Sequence, residues 1–237
     1  MKKLSIIIPV FNEERTINQL LKKVNNIKLP KYISKEIIVV DDFSTDNTSK
    51  ILSQIQNINF KYIRHEKNYG KGAAVRTGFS KAKGDYIIIQ DADLEYNPED
   101  YLKLLQPILD GKIQVVYGNR FENYPLNFWG KNKTVLPIHW ISNMILAAIT
   151  NILYGSNLRD METCYKLFNR NILKSLKLKA KGFEFEPEIT AKILKLNIPI
   201  VEIPINVKPR TYEEGKKIGW KDGIIAIWTL VKYRFTN

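Results

Sequence analysis

The sequence predicts an α/β fold with a mainly parallel central sheet flanked by helices, and three observations carry that prediction. Short apolar runs recur at residues 4–10, 37–40, 60–64 and 86–90. They read as strands buried on both faces, because they lack the strict alternation of a strand with one wet side. Segments with helical spacing lie between them, so strand then helix repeats four times, the pattern of parallel strands joined by right-handed crossovers.

The first run ends at Pro9-Val10 and passes through Phe11-Asn12-Glu13-Glu14 into Ile17, Leu20, Leu21 and Val24, the i, i+3, i+4, i+7 spacing of an amphipathic helix. The second runs straight into Asp41-Asp42. Residues 44–48 then offer several caps for a helix carrying Ile51, Leu52 and Ile55. The fourth run ends in Asp91-Ala92-Asp93. Two further strands are expected at 113–117 and 200–208. With 237 residues, 44% of them hydrophobic, and no Pro/Gly/Ser-rich linker or repeat, the chain is expected to form one domain over residues 1–237.

Asp91 and Asp93 sit where open α/β sheets place their ligands, at the carboxyl end of a strand. Two carboxylates held together there repel unless a cation lies between them. Mg²⁺ or Mn²⁺ is the hard ion that carboxylate oxygens hold while it bridges to phosphates, so the pair reads as a metal-diphosphate site. A solvated acidic turn gives the same pattern. Lys71, between Gly70 and Gly72, is placed for a diphosphate or is a solvated turn lysine. The single cysteine, Cys164, excludes an intramolecular disulfide and reads as a small buried hydrophobe.

Charge narrows the partners. The 37 basic and 24 acidic residues leave +13, which favours anionic partners: a nucleotide diphosphate, nucleic acid or an anionic membrane surface. Nucleic acid is not expected, since the basic residues are scattered rather than gathered in an aromatic-studded strip. Residues 134–154 are mostly apolar but carry Ser142, Asn143, Thr150 and Asn151 on one helical face. That reads as a helix lying in a membrane interface, with a buried core helix as the alternative, and residues 218–235 repeat the theme. Both stretches fall short of a spanning helix. An opening of Met1-Lys2-Lys3 ahead of a core strand is no signal peptide. The expected setting is the cytoplasm, peripheral on the cytoplasmic face of a membrane.

Four ordered motifs, Pro9-Val10-Phe11-Asn12-Glu13, Val40 to Asp46, Asn68 to Ala74 and Gln90 to Glu95, resemble family 2 glycosyltransferases of the GT-A fold. Asp160-Met161-Glu162-Thr163-Cys164-Tyr165-Lys166-Leu167-Phe168 and the stretch from Pro204 through Arg210 to Lys216-Lys217 resemble polyprenyl-phosphate sugar synthases such as dolichyl-phosphate mannose synthase. The resemblance covers nearly the whole chain. Some members of that family carry added transmembrane helices at the C-terminus, which this chain lacks, so attachment is expected to be peripheral.

The resemblance implies an enzyme that moves a hexose from a GDP- or UDP-sugar to polyprenyl phosphate. Asp91 and Asp93, with Glu95 where the family often has Gln, would hold the metal. Pro9, Phe11, Glu13, Asp41, Asp42 and Lys71 would bind the nucleotide, and Asp160 and Glu162 would position the donor sugar. Glu13 and Asp42 serve equally as acids stabilising helix N-termini. Arg120 and Arg210 would grip donor and acceptor phosphates, a task suited to a guanidinium fork, and Lys217 would assist. A phosphate acceptor needs no general base. A sugar hydroxyl does, and Asp160 or Glu162 would supply it in the alternative, a transferase acting on a glycan or glycolipid hydroxyl. A catalytically silent nucleotide-sugar or membrane-binding module is the non-enzymatic alternative.

Overall fold

The computed structural model describes residues 1–111, 113–124, 126–127, 134, 137–209 and 219–236. The described strands form one seven-stranded sheet in the order β3-β2-β1-β4-β6-β5-β7. These are β1 Lys2–Val10, β2 Ile33–Asp41, β3 Lys61–Arg64, β4 Tyr86–Ile89, β5 Val115–Asn119, β6 Lys166–Asn169 and β7 Ile200–Pro204. The first four pair in parallel, as expected from the repeated strand–helix alternation. Their crossovers are α1 Ile17–Asn26, α2 Thr48–Gln54 and α3 Lys71–Lys81, and α4 Tyr101–Leu109 follows β4.

The core explains why these runs became strands. Leu4, Ile6, Ile7 and Ile8 of β1 are fully buried at the centre of the sheet, and α1 buries Ile17, Leu20, Leu21 and Val24. Those four positions are the stripe its spacing predicted. Removing one such side chain would cost about 2–5 kcal/mol.

In the second half, β5 lies two residues later than expected and β7 is shorter. β7 stops at Pro204, which has no N–H to continue a ladder, and Val207 makes only an isolated bridge to Tyr96. Two elements carried no readable pattern. β6 inserts antiparallel between β4 and β5, and its Lys-Leu-Phe-Asn run begins with a charge. α7 Phe185–Lys195 is buried over its first nine residues, acids included, so it shows no amphipathic stripe. A short helix, α6 Arg170–Ser175, follows β6.

α5 Pro137–Tyr154 and α8 Trp220–Phe235 pack together and against α7, around Leu146, Met161, Ala191, Ala226, Leu230 and Tyr233. The Tyr154 hydroxyl donates to the Leu230 carbonyl at 2.7 Å. The polar stripe of α5 divides. Thr150 is fully buried and Asn151 turns inward to bond the 156–158 turn, whereas Ser142 is exposed. The outward surface is apolar instead: Ile138, Ile141, Met144, Ile145 and Ile152 on α5, and Ile224, Ile225, Trp228 and Phe235 on α8. No helix among the described residues is long and apolar enough to cross a membrane.

Candidate active site at the carboxyl ends of the strands

A cleft of about 350 Å³ opens over the carboxyl ends of β1, β2 and β4. Its walls bring together Pro9, Phe11, Glu13, Asp42, Lys71, Asp91, Asp93, Glu95, Arg120 and Glu162 from segments far apart in sequence. Asp41 and Asp160 stand behind the wall, fully buried. Arg210, Lys216 and Lys217 lie outside the described residues.

The backbone at the cleft is held in sparsely populated conformations. Asn12, Phe43 and Leu94, which follow β1, β2 and β4, have φ of 56°, 65° and 63°. A left-handed conformation costs a residue with a side chain roughly 1–2 kcal/mol, and such outliers persist where the surroundings over-determine them. Here the loops brace one another. The Asn12 amide donates to Ser44 Oγ at 3.0 Å, and the Thr45 amide donates to Asn12 Oδ1 at 2.8 Å. The Glu13 amide donates to Thr48 Oγ1 at 2.8 Å.

The adjacent aspartates have separate tasks. Asp41 accepts from the Ser44 amide at 2.8 Å and the Tyr62 hydroxyl at 2.9 Å, which ties the end of β2 to β3. Asp42 accepts from the amides of Tyr69 and Gly70 at 2.9 and 2.6 Å and contacts His65 Nδ1 at 2.7 Å. It therefore fixes the loop that delivers Lys71.

The glycines of that loop admit a close backbone approach, and the approaching segment is the chain's own. A Cβ on Gly70 would lie 2.4 Å from the Lys181 carbonyl oxygen, and one on Gly72 would lie 2.9 Å from those of Ala180 and Gly182. The Gly72 and Ala73 amides donate to the Gly182 and Lys181 carbonyls at 3.2 and 3.0 Å. The glycines thus admit the chain's own 180–182 segment, and the first turn of α3 has already spent amides there.

Lys71 points along the cleft floor. Its Nζ lies 2.9 Å from Asp91 and 3.4 Å from Glu186 Oε1. Glu186 is buried in the first turn of α7, and its other oxygen is paired with Lys166 Nζ, itself fully buried. Spacing gave no sign of this Asp91–Lys71–Glu186–Lys166 chain. The available signal was chemical: a lysine inside Tyr165-Lys166-Leu167-Phe168, and an acid before Pro187 at a helix start. Gln90, just past β4, accepts from the Tyr101 and Tyr165 hydroxyls at 2.6 Å each, the second from 75 positions away.

Arg120, at the end of β5, is gripped by Asp160. Nε and Nη2 each donate at 2.7 Å, and the Arg120 amide donates at 2.9 Å. Asp160 is held in turn by Glu202 of β7, which accepts from the Asp160 and Arg159 amides at 2.7 and 2.8 Å. Asp160 thus touches the guanidinium directly and lies behind the cleft wall. Burial, and then the Glu186 charge, pushes the Glu162 carboxyl up to about 7. Burial also raises the Cys164 thiol well above its ordinary range, so it stays protonated and inert, as its buried position suggests.

The three carboxylates expected to hold a cation, those of Asp91, Asp93 and Glu95, all line the cleft. Asp93 Oδ1 accepts from the Glu95 amide at 3.1 Å, which holds those two residues together. Among the described residues no three His, Cys, Asp or Glu side chains come together as a group that could hold a metal ion, so Asp91, Asp93 and Glu95 are not gathered into one here. That donor set suits Mg²⁺ or Mn²⁺, which take few protein carboxylates and fill their remaining positions with water and substrate phosphates.

The model of glycosyl transferase family 2 matches residues 5–177. The chain belongs to that family. It is 36% identical to the UDP-N-acetylglucosamine–dolichyl-phosphate N-acetylglucosaminyltransferase of Methanococcus voltae, over 86% of this chain and 85% of the relative. It is 30% identical to the dolichol-phosphate mannosyltransferase of Pyrococcus furiosus, over 92% of this chain but only 60% of that longer protein. Glucosyl-3-phosphoglycerate synthase from Mycobacterium tuberculosis, solved with UDP, superposes with a TM-score of 0.72 at 21% identity, covering 98% of this chain and 80% of that one. That likeness shows the GT-A fold. This family 2 member is a glycosyltransferase, and its relatives bear out the resemblance to polyprenyl-phosphate sugar synthases.

Proposed function

We propose that this glycosyltransferase moves one hexose from a UDP- or GDP-sugar to polyprenyl phosphate, with inversion at the anomeric carbon. One observation carries the reading: Lys71, Asp91, Asp93, Glu95 and Arg120 line a single cleft at the strand ends. That is the equipment for neutralising phosphate charge on both sides of a transferring sugar. Relatives named for dolichyl or undecaprenyl phosphate support the acceptor.

The nucleotide lies against Pro9, Phe11, Glu13 and the loop that Asp42 fixes, with Asp41 supporting the floor. An oxygen of the lipid phosphate forms the new bond to the anomeric carbon as the bond to the donor diphosphate breaks, and the nucleoside diphosphate leaves with the electron pair. Lys71 and Arg120 face the charge that develops, and Asp160 keeps the Arg120 fork aimed. Asp91, Asp93 and Glu95 would hold a divalent cation, Mg²⁺ or Mn²⁺, whose chemistry is to neutralise the departing diphosphate. Structural neighbours solved with Mn²⁺ and UDP are consistent with such use. Arg210 and Lys217 take the acceptor phosphate. That phosphate is ionised at neutral pH and needs no base.

The apolar outer faces of α5 and α8 rest on an anionic membrane surface, where the acceptor lipid resides, at its cytoplasmic face. Ile152, Trp228 and Phe235 are 83%, 66% and 79% exposed, more apolar surface than a wet face normally offers. With a +13 charge, the protein should sediment with vesicles containing anionic lipid and be released by high salt. Equal recovery in the supernatant with and without such vesicles would contradict this.

The sugar-hydroxyl alternative gains one observation. Glu162, at about 7, is poised as a general base would be. The reaction is tested by incubating the protein with radiolabelled UDP- and GDP-hexoses and short-chain polyprenyl phosphate, then extracting into organic solvent. Label entering the organic phase only when polyprenyl phosphate is present supports the proposal. Donor consumption without organic-phase label overturns the acceptor.

A further inference from the structure

Among the described residues, three buried side-chain oxygens, Glu162 Oε1, Thr163 Oγ1 and Glu186 Oε1, have no hydrogen-bond partner. Glu162 and Glu186 both line the cleft. Buried acceptors are satisfied in nearly all native structures, so orphans that converge on a cavity mark the place of a ligand carrying donors. The charge around them is already balanced. Glu186 is paired through Oε2 with the fully buried Lys166, which also donates to the Thr163 carbonyl. Its Oε1 lies 3.4 Å from Lys71 Nζ without making a hydrogen bond. The ligand wanted here is therefore rich in O–H groups and is not a further cation.

We propose that Glu186 joins Glu162, which the family resemblance already implies for the donor sugar, in holding the sugar hydroxyls, that Lys166 is the positioning residue that fixes Glu186, and that the two acids select a neutral hexose over a uronic acid. The proposal rests on the donor-site reading above. A hexose offers hydroxyl donors to both carboxyl groups. A uronate brings a carboxylate that finds acceptors and like charge instead of donors, and a desolvated like-charge contact is a strong ground for rejection. Glu162 holds a proton over much of the neutral range, so it either accepts from or donates to a hydroxyl. A sequence search for sugar contacts misses Glu186, because it lies beyond the Asp160–Phe168 motif, on a helix that spacing does not reveal.

The test uses the full chain and two variants, Glu186→Gln and Glu162→Gln. UDP and GDP binding is measured by calorimetry. Donor KM and kcat are then compared for nucleotide-linked neutral hexoses and the corresponding uronates. The expected result for Glu186→Gln is nucleoside diphosphate affinity within about twofold of the parent, donor KM raised about tenfold or more, and a hexose-to-uronate ratio of kcat/KM reduced about tenfold. Glu162→Gln should move the same ratio in the same direction. If Glu186→Gln does not fold, the double variant Lys166→Met/Glu186→Met removes both buried charges together and carries the same measurement. An unchanged donor KM and ratio in a folded variant overturns the proposal, as does a parent that uses uronate and hexose equally. A parent that binds neither UDP nor GDP overturns the donor-site reading beneath it, which is a distinguishable failure.

Discussion

The two halves of the cleft are built by different means. One half grows from three parallel strands whose carboxyl ends project Pro9, Asp42 and Asp91 into one space, Pro9 within an apolar run and the two aspartates just past one. The other half depends on an antiparallel insertion, β6, and on charges buried behind the wall: Asp160 beneath Arg120, Glu202 beneath Asp160, and Lys166 beneath Glu186. Position along a strand makes the first half. Pairing of charges out of reach of water makes the second, so the first should tolerate loss of a functional side chain and the second should not.

Substitutions offer the sharpest way to break that contrast. Asp93→Asn should abolish turnover while melting within a degree or two of the parent, because Asp93 sits partly exposed beyond a strand end and its loss opens no buried cavity. EDTA should do the same to the parent. Undiminished transfer in EDTA would remove the cation from the account. Arg120→Ala leaves the fully buried Asp160 charge without its fork, so this variant should lose both activity and about 3–5 kcal/mol of stability in urea unfolding. A stable, inactive Arg120→Ala would erase the difference between the halves. Arg210→Ala should chiefly raise the acceptor KM, a loss of about 2–4 kcal/mol in transition-state stabilisation, with donor KM little changed.

The smallest expected effect is on pH dependence. Glu162 titrates near 7 in the folded chain, above its unfolded value, so its contribution is fully present below about pH 4.5 and is lost as pH rises through 7. The parent should therefore lose about 1–2 kcal/mol relative to Glu162→Gln between pH 5 and 8, allowing for partial solvation of the group. Parallel melting curves across that range would show that Glu162 is not held protonated.

What was legible in the sequence follows the same division. The four strand–helix repeats, the α1 stripe and the Asp91-x-Asp93 corner come from local patterns of hydrophobicity and spacing, which are written residue by residue. The turn at Gly70 to Gly72 was legible as a close approach, but what approaches is the 180–182 segment, a contact across more than 100 positions that local pattern does not encode. β6 and α7 were not legible because charged residues occupy buried positions there, and only tertiary pairing of Lys166 with Glu186 makes that tolerable. On α5, Thr150 and Asn151 signalled a polar face but not its direction. Both turn inward, where Thr150 bonds the Leu146 carbonyl and Asn151 the Leu158 backbone.

A competition assay decides between the phosphate and the hydroxyl acceptor. The protein is given one radiolabelled nucleotide hexose together with equimolar short-chain polyprenyl phosphate, the corresponding polyprenol and a glycolipid bearing free sugar hydroxyls, at several pH values around neutral. Label is expected on the polyprenyl phosphate alone, at a rate that stays flat with pH above the acceptor's own ionisation. Label on the glycolipid hydroxyl, at a rate that rises with the Glu162 titration and is lost in Glu162→Gln, would contradict the phosphate acceptor.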